Sequence, residues 1–267
     1  MYYISLYIEF VKIRVQSIAE YRGSFISGAV AQFISYGADF LIIWIMINQF
    51  KTIGSWGPYE VMLLYAINLF SYGVAGFFFF NLSRELPYMI RRGEFDEVMT
   101  RPLNSLLYLI TRSFNTAYVS HLTLSLITII ICSYHLNIEI NLWSIIVLAI
   151  IIVSGALIQG SGFLMTTIPV FWFVDNSGFI GILFWNLKEF VRYPLSIYNR
   201  AVQILLTLII PYGFISFYPA QYFLGKEDYL SFHPYIQYLS PLVGILLMGI
   251  AVIFWHVAIN HYKSTGS

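Results

Sequence analysis

NLSRELPYMIRRGEFDEVMTRPLN, residues Asn81 to Asn104, interrupts a chain that is otherwise mostly apolar. It carries Arg84, Arg91, Arg92 and Arg101 together with Glu85, Glu94, Asp96 and Glu97. Eight of the chain's 14 basic and 13 acidic residues therefore sit in one short interval. On both sides lie apolar runs long enough to cross a bilayer, for which about 20 residues suffice. The interval itself has to lie in water, between two membrane-spanning helices.

Composition supports that picture along the whole chain. The 267 residues are 59% hydrophobic, 19% aromatic and 10% charged, with a mean hydropathy of +0.75. A soluble domain carries about 25% charged residues. The expected class is all-α: a single polytopic membrane domain over residues 1–267. A net charge of +1 gives no basic excess for nucleic acid. Cys132 is the lone cysteine, so one chain can build neither a disulfide nor a cysteine metal site. The N-terminus mixes acids and bases without a cleavage pattern, so insertion is expected to rely on the first span.

Working outward from the charged interval, spans are expected at about 24–48, 58–82, 112–134, 142–173, 201–215 and 236–258. Pro58 suits a first helical position and Glu60 a first turn. Residues 1–22 place Tyr3, Leu6, Tyr7 and Phe10 on one helical face and Glu9, Lys12, Gln16 and Glu20 on another. This predicts an interfacial helix with its aromatic side in lipid, or else a soluble extension of the first span. Residues 174–200, with Lys188, Glu189, Arg192 and Arg200, read as an interfacial helix broken at Pro194. The semi-polar stretch 218–235 reads as re-entrant or interfacial. With the N-terminus inside, twelve Lys and Arg residues are cytoplasmic and only Lys51 and Lys226 are outside. That bias fixes both termini in the cytoplasm.

Catalytic signatures are missing. There is no GxxxxGK[ST] phosphate loop and no HExxH, CxxC or GxSxG. His121, His135, His233, His256 and His261 form no ligand pair at helical spacing, and His121 reads as a packed, hydrogen-bonded side chain. No catalytic, cofactor-binding or metal-binding residue is expected. Asp39 is the one carboxylate placed well inside a span, where ionisable groups are costly. It marks either a substrate pathway or subunit interface, or a protonated or hydrogen-bonded group packed on a neighbouring helix. Small residues at Ser24, Ser27, Gly28 and Ala29, and at Ser154, Gly155, Gly160, Ser161 and Gly162, permit close helix approach. Packing within the chain is the first reading and dimerisation the second.

Within the charged interval, Pro87 is expected to start a short helix and Gly93 to end it in a left-handed cap. Glu94, Asp96 and Glu97 then occupy the first turn of a second short helix, which Pro102 stops. The alternative is a solvated loop that serves topology alone. Tyr88, Met89, Ile90, Phe95, Val98 and Met99 argue against it, because apolar side chains want a partner or a membrane.

RRGEFDEVMTRPLNSL, residues 91–106, resembles the R-x-G-E-(L/F)-D-x-x-(L/M)-x-R-P-L-N pattern of ABC-2-type permeases, in a six-span branch. FWNLKEFVRYPLSIYNRAVQILLTLIIPYGFISFYPAQYFLG, residues 184–225, resembles a second signature of that branch in the same order and spacing. The resemblance implies an N-terminal amphipathic helix at about Ile4–Ala19, six spans and a re-entrant element before the last span. It also implies a coupling helix at about Leu86–Arg92, followed by Gly93 and Glu94–Thr100. The residues it assigns to ATPase coupling are Leu86, Pro87, Tyr88, Met89, Ile90, Arg91, Arg92, Gly93, Glu94, Phe95 and Asp96. Met89, Ile90 and Phe95 are expected to enter a groove on the ATPase, with Arg91, Arg92, Glu94 and Asp96 fixing register at the rim. ATP and Mg would bind a separate ATPase present in two copies, and a second, different permease chain would complete the pathway. The expected function is ATP-driven export across a bacterial plasma membrane, and the aromatic content of the spans points to an amphipathic or hydrophobic substrate. An ion-coupled secondary transporter is the alternative, and a lipid-modifying membrane enzyme a third reading.

Overall fold

The computed structural model describes residues 2–20, 22–50, 52–173 and 186–263, and among them the regular structure is helical. Helix α1 covers Tyr2–Glu20, α2 Arg22–Phe50 and α3 Pro58–Arg91. Short helices α4, Phe95–Met99, and α5, Ser105–Arg112, precede α6, Val119–His135, and α7, Leu142–Thr167. Residues 186–190 form α8. Then come α9, Arg200–Ile204, α10, Phe217–Leu224, and α11, Ser240–Ile259. Among the described residues, five helical runs are each long and apolar enough to cross a membrane: Ile26–Ile45, Pro58–Arg91, Thr116–His135, Leu142–Phe171 and Ser240–Ile259.

The bundle is built on α3. Its start is fixed by Pro58 at the first helical position and by Glu60, whose carboxylate accepts the Gly57 N–H at 2.6 Å. Helices α6 and α7 flank it closely because small residues face the contact. A side-chain carbon at Gly76 would collide with the Tyr118 ring, and one at Gly160 would press on Phe79. Helix α11 completes the layer by laying Gly244 on the Ser154 carbonyl of α7. Helix α2 sits differently. Only 11% of its apolar window is buried, against 72% for α3. At Gly28 an added side-chain carbon would meet nothing within 4 Å. Packing within the chain therefore explains Gly155 and Gly160 but not Gly28.

Several expected boundaries move. Pro87 starts no helix, since α3 runs through it to Arg91. The reason is tertiary. Leu82, Leu86, Met89 and Ile90 keep helical spacing on a buried stripe, which outweighs the one backbone bond that a proline removes. The third span begins after Ser113 rather than at 112, with Asn115 capping a 3-10 turn at Thr116–Tyr118. Helix α5 is a separate surface piece, capped by Asn104. The aromatic side of α1 does not turn to lipid as a whole, because Phe10 meets the edge of Tyr108 on α5 at 5.3 Å. Ile8, Val11, Ile13 and Val15 are its exposed apolar side chains.

The fifth span expected at 201–215 is replaced by a hairpin. Residues Arg200–Ile209 and Tyr212–Leu224 pass as apolar helix only together, bent by 77° at Pro211. Both flanks of this hairpin return to the 52–57 turn. Ile197 lies 3.7 Å from where a Gly54 side chain would start, and Lys226 donates to the Ser55 carbonyl at 2.6 Å. The hairpin is thus re-entrant. Before it, α7 ends beside the charged interval, where Phe171 meets Phe95 at 5.3 Å. The chain must change ends between Phe173 and Ile197, and α8 lies on that route. Lys188 contacts Tyr72 of α3, Arg192 contacts Tyr65, and Ile197 reaches Gly54, so the segment climbs antiparallel to α3. Leu187, Val191 and Leu195 form its buried stripe. The interfacial helix expected over 174–200 is therefore, in its described part, the end of a sixth crossing. Residues 174–185 lie outside the described residues.

Candidate functional sites: a charged elbow and a charged cluster between helices

At one end of the bundle α3, Gly93 and α4 form an elbow. Gly93 has φ +72°, the left-handed turn that a glycine accepts without strain. The elbow's two faces differ. Leu86, Met89, Ile90, Phe95 and Val98 are buried against α5, the end of α7 and α11. Met89, Ile90 and Phe95 are thus committed to this chain's own core, and the expectation that they enter a groove elsewhere does not hold. The exposed face carries Tyr88, Arg91, Arg92 and Glu94. The Arg91 guanidinium lies 4.9 Å over the Tyr88 ring, and Arg92 stands 3.7 Å from Glu94. Pro87 and Gly93 are half-buried between the two faces. Arg101 pairs with Glu97 one turn away and holds that carboxyl below its usual range.

The chain's last described turn locks the elbow. The Tyr262 hydroxyl donates to Asp96 at 2.9 Å, and its ring meets Phe95 edge-on at 5.0 Å. Asp96 is therefore drawn to the tail rather than to an outer rim. Burial, aided by that hydrogen bond, pushes the Tyr262 phenol up to about 12. Trp255 of α11 donates to Ser105 at 3.3 Å, which ties α5 to the same corner.

The second site lies among the spans. Asp39 of α2 faces Arg192, with Oδ2 to Nη1 at 3.4 Å, and accepts the Tyr65 hydroxyl at 3.3 Å. Arg192 also pairs through Nε with Glu189 at 2.6 Å and lies 5.7 Å over the Tyr65 ring. One turn along, the Lys188 ammonium sits 3.5 Å over Tyr72. Asp39 is thus paired and hydrogen-bonded, as an ionisable group among spans must be. Beside the cluster His121 is held between rings: Tyr118 stacks on it at 4.6 Å and Tyr36 lies tilted against it at 4.1 Å. Neither of its ring nitrogens finds a hydrogen-bond partner among the described residues, where its contacts are with aromatic rings. Among those residues no group of three His, Cys, Asp or Glu could hold a metal.

Sequence reasoning singled out Asp39 and missed Lys188, Glu189 and Arg192 as its company. The signal was the stripe Leu187, Val191, Leu195, which has the spacing of a buried helix. Beyond the cluster, the far end is clamped. Lys226 pairs with Glu60 at 2.9 Å and lies 5.0 Å over Trp56, and Trp56 donates to Asp228 at 2.8 Å.

A protein-family profile described as ABC-2 family transporter protein matches residues 33–266. No curated protein and no solved structure matches the chain.

Proposed function

The chain belongs to the ABC-2 family of transporter proteins, and from that we propose that it is the permease subunit of an exporter driven by a separate ATPase. The elbow is its docking element and lies in the cytoplasm with both termini. ATP and Mg belong to the ATPase, present in two copies. The membrane is a bacterial plasma membrane, and the cargo is amphipathic.

The observation that carries this reading is the continuity of α3. One helix of 34 residues joins the Glu60 clamp, the charged cluster and the elbow. Force applied to Tyr88, Arg91, Arg92 and Glu94 enters a rigid element, because Leu86, Met89, Ile90 and Phe95 fasten the elbow to α7 and α11. A partner would be read by the exposed charges, which set register and on-rate more than affinity. The lightly packed α2, with Ile26, Val30, Ile34, Leu41 and Ile45 exposed and open space at Gly28, supports a second, homologous permease chain on that face.

The test is made on the assembled complex. Reversing charge at Arg91 and Arg92, or replacing Gly93 by Pro, is expected to uncouple ATP hydrolysis from transport while the chain still inserts. Pro is limited to φ near −65° and cannot adopt the +72° found there. Unchanged ATPase stimulation and transport in these variants would remove the docking role.

A further inference from the structure

Arg84 lies on α3 two turns before the elbow's exposed arginines and belongs to neither site described above. Its place along the helix sets its depth. Twenty-four residues separate it from Glu60 in the far clamp, about 36 Å at 1.5 Å per residue. A hydrocarbon core is about 30 Å thick, and a bilayer with its head groups about 40–45 Å. With Glu60 in one head-group layer, Arg84 falls in the other, on the elbow's side. Helical side chains lean toward the N-terminus, which for α3 at this point is the membrane side. The guanidinium accordingly lies 5.7 Å over the ring of Phe80, one turn deeper. It is exposed and pairs with no carboxylate among the described residues, whereas Arg92 and Arg101 stand beside Glu94 and Glu97. Adjacent Glu85 lines a separate cleft with Tyr88, Glu94 and Arg112. Asn81 shares the face of Arg84, three residues earlier. Its side-chain carbonyl accepts the Asn115 amide at 2.9 Å, which leaves its own N–H groups as donors. Half-buried Phe77 and Phe80 and exposed Val119 supply apolar surface on the membrane side.

We propose that Arg84 and Asn81 form a site for the phosphate of an anionic phospholipid in the leaflet on the elbow's side. The guanidinium takes phosphate oxygens, Asn81 donates beside it, and an acyl chain follows the Phe80 and Phe77 rings. A zwitterionic head group brings an ammonium, and the neighbouring carboxylate, Glu85, belongs to the other cleft. The site depends on depth and charge and not on an ATPase, so it and the permease reading fail separately.

The experiment titrates the purified full chain in detergent with dioctanoyl phosphatidylglycerol and follows bound lipid by native mass spectrometry. One preferred molecule is expected, bound more tightly than dioctanoyl phosphatidylcholine. Arg84→Gln should weaken it roughly tenfold or more, the loss of a charge-assisted contact. Arg84→Lys keeps the charge and should retain most of it. Unchanged binding by Arg84→Gln, or equal binding of phosphatidylcholine, would overturn the anionic site. Displacement by glycerol phosphate at the same concentration would mark a free-phosphate site and overturn the lipid part. If Arg84→Gln fails to fold by size exclusion, Asn81→Asp decides. It keeps an oxygen for Asn115 and sets a carboxylate one turn from Arg84 to compete for the guanidinium. Binding weakened roughly tenfold supports the site, and unchanged binding overturns it.

Discussion

Arg192 is the residue on which the interior charges depend. It holds Asp39 at 3.4 Å and Glu189 at 2.6 Å, so removing it leaves two carboxylates without their cation. Removing Asp39 leaves Arg192 with Glu189 still in place. The two losses are therefore unequal. Arg192→Met should destabilise by about 3 kcal/mol, the low end for a broken buried pair because Glu189 is half-exposed. Asp39→Asn keeps an oxygen for the Tyr65 hydroxyl and should cost about 1 kcal/mol. Thermal unfolding of the purified variants ranks them, and the reverse order would show that Arg192 is not the centre of the cluster. Asp39 was legible in the sequence because a lone carboxylate in an apolar run has no cheap explanation. Its partner was not. Arg192 sits among Lys188, Glu189 and Arg200, and such a cluster reads as a solvated surface until the fold places it against α3.

Among the elements, the elbow separates what local chemistry dictates from what packing dictates. Gly93 was legible, since a glycine between helical segments and before acids is a turn with a mechanism. The break at Pro87 was not, because the buried stripe through Leu86 and Ile90 overrides a single proline. Nor could local sequence reveal that Phe95 and Asp96 are met by Tyr262, which comes from the other end of the chain. This contact has a pH signature. Folding raises the Tyr262 phenol from its ordinary 10.0 to about 12 and so favours its protonated form. The contribution is whole below pH 10 and fades as pH rises toward 12. Tyr262→Phe should therefore be less stable than the parent by a constant margin up to pH 10, and the margin should shrink above it. Melting temperatures across that range check this, and a margin that does not change with pH would deny that burial and the Asp96 contact raise the Tyr262 phenol.

For the whole molecule, the five long apolar helices were legible and the course of the chain between α7 and α11 was not. Hydropathy finds α2, α3, α6, α7 and α11 but discounts a crossing that carries Lys188, Glu189 and Arg192. It promotes instead the apolar hairpin at 200–224, which enters and leaves by the same end. The topology makes Asn199 and Glu227 share one side, opposite Arg92. Single cysteines at these three positions, labelled in intact cells with an impermeant maleimide, should give label at Asn199 and Glu227 and none at Arg92. Native Cys132 is fully buried and adds no background. Label at Arg92 and Asn199 alike would refute the sixth crossing. The long α3 has one more consequence. At 1.5 Å per residue its 34 residues measure about 51 Å, and a tilt of about 5° about one end swings the other by roughly 4 Å. That exceeds the 2.9 Å span of the Lys226–Glu60 ion pair. A modest tilt of the mast must therefore either drag the hairpin's cap along with it or break its mooring at Glu60.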